Sequence, residues 1–180
     1  MGRGTRPSLR HMDDRDAVVA GFDQSRQEFE EAVRRAPDAA LRFKPIGEDY
    51  ALGGLVVHVT QVLRHYAGVV DAIRAADWQA LHAPDNGPTA VETALIHSGF
   101  GGDARASVLE HMRSAHTRLV DAIRGSAPDA FRRQAPVTYS GASDAYPTSS
   151  ADVLGWVQDH YKEHTQQIAE LVSAWAQATR

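Results

Sequence analysis

The sequence contains no cysteine. That excludes a protein thiolate as nucleophile or metal ligand, removes CxxC chemistry, and fits a cytoplasmic protein. A basic excess is also missing. Nineteen Lys and Arg stand against 23 Asp and Glu, a formal charge of −4, so nucleic acid finds no electrostatic footprint. No stretch approaches the roughly 18 uncharged apolar residues of a membrane span. The start carries Arg3, Arg6 and Arg10 but no apolar core, so it is not a secretory signal. Residues 1–13 read as a disordered basic arm, with Met1 or Met12 as the natural start. No serine sits in a nucleophile-elbow context, and Gly53-Gly54 leads to no phosphate-loop lysine.

What is present is helical periodicity over four long segments. The first, residues 14–36, turns Val18, Phe22, Phe29 and Val33 inward, and Pro37 ends it. The second, residues 50–76, is apolar on much of its circumference and is expected to be the most buried. Gly53-Gly54 falls inside it and predicts a close backbone approach or a kink. The third opens on Asp103 as cap, runs through Val108, Met112, Leu119 and Ile123, and stops at Gly125. The last, residues 152–178, opens on a capping pair of Ser149 and Asp152. Periodicity lapses over 77–102, with room for a short helix at 89–97, and over 126–150, with a short extended piece at 136–139. The fold class expected is all-α: a four-helix bundle with long connections after helices two and three, within one domain spanning residues 14–180.

The last helix carries the chemistry. Its apolar stripe reads Val153, Val157, His160, His164, Ile168, Leu171, Trp175. Two imidazoles one turn apart lie about 6 Å along the axis and about 40° around it, so both rings can face one ion. A third histidine with similar placement is His58, three residues after Leu55 and four before Val62. Packed helices lie about 8–10 Å apart, close enough for His58 to meet the pair. Three neutral imidazoles with an open fourth position suit Zn²⁺ or a similar divalent ion. The alternative for each ring is a core residue hydrogen-bonded to a neighbour, and with nine histidines in the chain four-residue spacing also arises by chance.

The other histidines rank lower. His65 sits about 10.5 Å along the second helix from His58, too far for the same ion, and is expected to line a cavity or bond internally. His116 falls on the inward side of its helix and is the candidate for an added ligand or substrate contact. His111 and His82 read as solvated; His97 is surface-placed or part of a loop over the site. His11 lies in the arm. Tyr161 follows His160, so the helix lacks the Glu of the metalloprotease HExxH. Asp159 and Glu163 face outward or toward the seam, where a role in orienting an imidazole is open.

The Lys44-Pro45 loop, Tyr50 eight residues before His58, and the segment Asp159-His160-Tyr161-Lys162-Glu163-His164-Thr165-Gln166-Gln167-Ile168 together resemble the DinB-like (DinB/YfiT) superfamily of metal-binding four-helix bundles. In that family a Trp usually stands where Tyr50 does, and Ala-Asp where Thr60-Gln61 follows. The resemblance implies His58, His160 and His164 as ligands of Zn²⁺ or Ni²⁺, water at the open position, a small-molecule substrate and a homodimer. Some relatives are thiol S-transferases using bacillithiol, mycothiol or glutathione, and some are maleylpyruvate isomerases. A metal-dependent transferase or detoxification enzyme with a low-molecular-weight thiol cosubstrate is the expectation that follows. A metal-dependent hydrolase and a noncatalytic metal- or ligand-binding stress protein are the alternatives.

Overall fold

The computed structural model describes residues 14–180, so the basic arm lies outside the described residues. Five helices and a small sheet make up the fold. Four helices are long: α1 (Asp14–Arg35), α2 (Gly54–Ala75), α4 (Arg105–Arg124) and α5 (Ser150–Ala178), with a nine-residue α3 (Ala90–Ser98) between α2 and α4. The principal helix contacts pair α2 with α4 and α1 with α5, and α2 also meets α5 along the seam that carries the histidines. Chain neighbours are therefore not the main packing neighbours. Phe22, Phe29, Leu55, Leu63, Met112, Leu119, Leu154 and Tyr161 fill the shared core. No helix among the described residues is long and apolar enough to cross a membrane.

The all-α expectation needs correction. Three short strands, β1 (Leu81–His82), β2 (Ala135–Thr138) and β3 (Tyr146–Thr148), form a sheet in that order, the first pair parallel and the second antiparallel. The cause is α2 itself. One side of this helix enters the main core through Leu55, Val59 and Leu63, which leaves Val69 and Ile73 on another side needing cover. Ala135 and Val137 of β2 supply it, with Trp78, Leu81 and Tyr139 packed around them. The long connections thus bury the surplus apolar face of α2 instead of looping freely.

Two helix starts also differ in detail, and a third matches. The second helix begins at Gly54, four residues later than expected, so Gly53-Gly54 forms its entrance and not its interior. A Cβ on Gly54 would stand 1.9 Å from the Ile96 carbonyl oxygen; the backbones of α2 and α3 touch, and only glycine fits. Asp103 lies in a short 3-10 turn at Gly102–Ala104 and does not cap α4, which starts at Arg105. The last helix starts as expected: the Ser149 hydroxyl accepts from Asp152 N–H while the Asp152 carboxylate accepts from Ser149 N–H. That box fixes the phase of α5 about three turns before His160.

Candidate metal centre

His58 projects from α2, and His160 and His164 from α5, across the seam where the two helices meet. His160 Nε2 lies 3.0 Å from His58 Nε2 and 3.1 Å from His164 Nε2. The three donor nitrogens lie within 4.8 Å of one another. A tetrahedral ion with Zn–N bonds of 2.0–2.1 Å holds its ligand nitrogens about 3.3 Å apart, so the two spacings to His160 need only small relaxation to accept one.

The hydrogen-bond chemistry of the triangle points the same way. Gln167 Nε2 donates to Glu48 Oε2 at 3.3 Å, which fixes the amide so that Oε1 faces His164 Nδ1 at 2.8 Å. His164 therefore carries its proton on Nδ1 and presents a lone pair from Nε2. The single Nε2 hydrogen that His160 can carry satisfies only one of its two nitrogen neighbours. Burial, and then the neighbouring imidazoles, lowers His58 to about 4 and His160 to about 3. Burial also lowers His164, against the opposing pull of Gln167 and Glu163. All three rings are neutral near pH 7, with lone pairs available to a cation. A neutral three-imidazole set suits Zn²⁺, Ni²⁺ and similar borderline ions, and it leaves a fourth position for water or a ligand.

The surroundings orient the triad. The Tyr50 ring lies 4.7 Å from His58 and edge-on to His164 at 5.8 Å. The segment bearing Tyr50 is tied to α3: Ala51 N–H donates to the Ile96 carbonyl, and His97 Nδ1 donates to the Asp49 carbonyl at 2.8 Å. A cavity of about 590 Å³ opens above the triad, lined by all three histidines together with Glu48, Tyr50, Glu163, Gln166, Gln167 and Glu170.

The sequence expectations sort plainly against this geometry. His58, His160 and His164 are brought together. His65 is apart, its Nδ1 bonded to the side chain of Asn86 at 2.7 Å. His116 is not an added ligand: buried among α1, α4 and α5, it bonds Asp23 through Nε2 at 2.7 Å and the Tyr161 hydroxyl through Nδ1 at 3.2 Å, and it stacks on Phe22. His111 and His82 are exposed, as is Asp159, which pairs with Lys162. Gln167 and Glu48 were missed. Gln167 had a signal, being a polar residue three positions after His164 on the same side of the helix. Glu48, in a loop 119 residues away, had none.

Comparison with known proteins adds the family. The pattern described as the DinB superfamily matches residues 21–168. A search of curated proteins returns no match. Among solved structures, YfiT from Bacillus subtilis, described as "a probable metal-dependent hydrolase with an unusual four-helix bundle topology", is similar at 14% identity and a TM-score of 0.68, over 98% of this chain and 95% of its own. Two structures of the mycothiol-dependent maleylpyruvate isomerase, one of them a mutant, are similar at 9% and 11% identity with TM-scores of 0.63 and 0.64. Both matches cover 86% of this chain, which spans only 60% of the isomerase's length. At such identities the likeness speaks for the fold.

Proposed function

The chain belongs to the DinB superfamily, and from that premise we propose a divalent-metal site at His58, His160 and His164, holding Zn²⁺ or Ni²⁺, that serves a thiol S-transferase or detoxification reaction. The observation that carries the reading is the convergence of three Nε2 atoms from two helices at 3.0 and 3.1 Å, with one ring locked in the ligating tautomer. When bound, such an ion lowers the pKa of a coordinated thiol or water and thereby supplies a nucleophile near neutral pH.

The chain's own residues hold and orient. Glu48 sets the amide of Gln167, and Gln167 holds the proton of His164 on Nδ1. Tyr50 packs over His58 and contributes a phenol to the cavity wall. Burial raises that phenol above its ordinary value, with Asp49 and Glu163 adding to the effect, so it stays protonated and able to donate a hydrogen bond. With no cysteine in the chain, a thiol reaction needs a cosubstrate that brings the sulfur. We read the four long helices as the family's bundle, formed within one domain at 14–180, and the working unit as a cytoplasmic homodimer; sedimentation equilibrium checks the dimer.

The test is paired. Elemental analysis of the purified protein is expected to give one divalent ion per chain, and the His160→Ala variant none, with an unchanged helical circular-dichroism spectrum. The metal-loaded protein should then consume a low-molecular-weight thiol and an electrophile faster than the His58→Ala variant does. Equal metal in parent and variant removes His160 from the site. Metal-dependent ester hydrolysis without thiol consumption moves the reading to a hydrolase, and no turnover with either panel moves it to a binding protein.

A further inference from the structure

The charge on the cavity wall points beyond the metal. Glu48, Glu163 and Glu170 line the space above the triad, and among the described residues no lysine or arginine lines it. Two of these carboxylates are engaged by amides: Gln167 Nε2 donates to Glu48 at 3.3 Å, and Gln166 Nε2 donates to Glu170 at 2.8 Å. An amide orients a carboxylate without cancelling its charge. None of the three forms an ion pair among the described residues, whereas carboxylates elsewhere on the chain commonly do. Glu30 meets Arg26, Arg34 and Arg113; Asp71 meets Arg74 and Arg118; Glu92 meets Arg64.

We propose that this cavity admits uncharged or cationic molecules and discriminates against anionic ones, with Glu163 and Glu170 as the residues that set the preference. The proposal rests on the metal reading above and specifies its cosubstrate class. Three neutral imidazoles add no charge, so three carboxylates facing one divalent ion leave the occupied cavity at a formal −1. A thiol or electrophile bearing carboxylates approaches against a field of its own sign. An uncharged thiol meets no such opposition, and an amine is drawn in. The glutamates are exposed, so their field is screened within about 8 Å at physiological ionic strength. That salt dependence separates a charge filter from a purely steric one.

The test uses Co²⁺ as the metal and three small thiols of similar size as probes, under anaerobic conditions at one pH. They are cysteamine (cationic), 2-mercaptoethanol (uncharged) and 3-mercaptopropionate (anionic). As the sulfur replaces water on the cobalt, its proton goes to the buffer and a thiolate-to-cobalt absorption band appears, which titrates binding without any turnover. Differences in thiol acidity cancel when each affinity ratio is compared between the parent and the E163Q/E170Q double variant. Glu48 is left in place because it supports Gln167. At low salt the double variant should improve 3-mercaptopropionate relative to 2-mercaptoethanol by about three- to tenfold and weaken cysteamine by a similar factor, both shifts fading near 0.5 M salt. A cobalt spectrum with unchanged thiol ratios, or with shifts indifferent to salt, overturns this proposal alone. A cobalt spectrum that no thiol perturbs keeps the metal site but overturns the thiol reading and this proposal, and no cobalt spectrum in the parent overturns the site reading as well.

Discussion

Two clusters containing histidine meet different faces of α5, about 100° apart around its axis, and adjacent residues of that helix enter each. On one side His160 faces His58 and His164; on the other Tyr161 faces His116. The His116 cluster is saturated: both ring nitrogens have partners, the ring stacks on Phe22, and Glu30 nearby is ringed by three arginines. The triad is the reverse. Its nitrogens converge on His160 Nε2, which can serve only one of its two contacts as a hydrogen bond, and the triad opens onto a cavity. Buried polar groups normally find partners. A cluster that satisfies itself holds helices together, while one whose lone pairs face each other has the donor chemistry that suits a cation.

That contrast is broken most severely at the triad. His58→Ala and His160→Ala should each abolish stoichiometric metal while the metal-free protein keeps its unfolding midpoint or gains slightly, because an unsatisfied polar contact is removed. Elemental analysis and thermal unfolding of the same preparations check both halves. Retained metal, or a large loss of stability, would make the triad structural.

The next largest effect belongs to the saturated side. Glu30→Gln leaves three guanidiniums without their carboxylate. A wholly buried pair broken this way costs about 3–5 kcal/mol, and since these arginines reach solvent about 2 kcal/mol is expected. Urea unfolding at neutral pH measures it, with metal content unchanged. Gln167→Ala should sharpen the comparison from the triad's side, weakening metal affinity about 10- to 100-fold without altering fold, as loss of an outer hydrogen bond does. Competitive titration with a chromophoric chelator reads this, and unchanged affinity would mean that His164 needs no orienting partner.

The two clusters were unequally legible in the sequence. His160 and His164 announced themselves because a helix repeats every 3.6 residues, and polar side chains on an apolar stripe stand out locally. His58 followed by the same logic on α2. His116 showed the same inward placement, yet its partner Asp23 lies 93 residues away, so nothing local told a saturated imidazole from an unsaturated one. The sheet was hidden for a related reason. Strands of two, four and three residues carry too little alternation to register, and β1 pairs with β2 across more than fifty residues of chain. Only the extended piece at 136–139 surfaced. The all-round apolarity of α2 was visible, but that a sheet covers it was not.

A pH dependence shared by both clusters is also expected. Burial holds His58 at about 4 and His160 at about 3, and it lowers His116 despite Asp23, while the ordinary value is 6.5. The unfolded chain therefore takes up protons that the folded chain refuses. Stability of the metal-free protein is fully present above pH 6.5 and declines as the pH falls from 6.5 toward 4. Calorimetry should show a level midpoint from pH 7 to 8 and a falling one below 6.5. A midpoint that rises on acidification would reverse the assigned direction.

The most direct measurement is an anomalous-scattering map of crystals grown with Zn²⁺ or Ni²⁺ present. The account predicts one peak per chain at about 2.0–2.1 Å from the Nε2 atoms of His58, His160 and His164. A map with density for all three rings and no peak between them, or with the metal seated elsewhere on the chain, would contradict it.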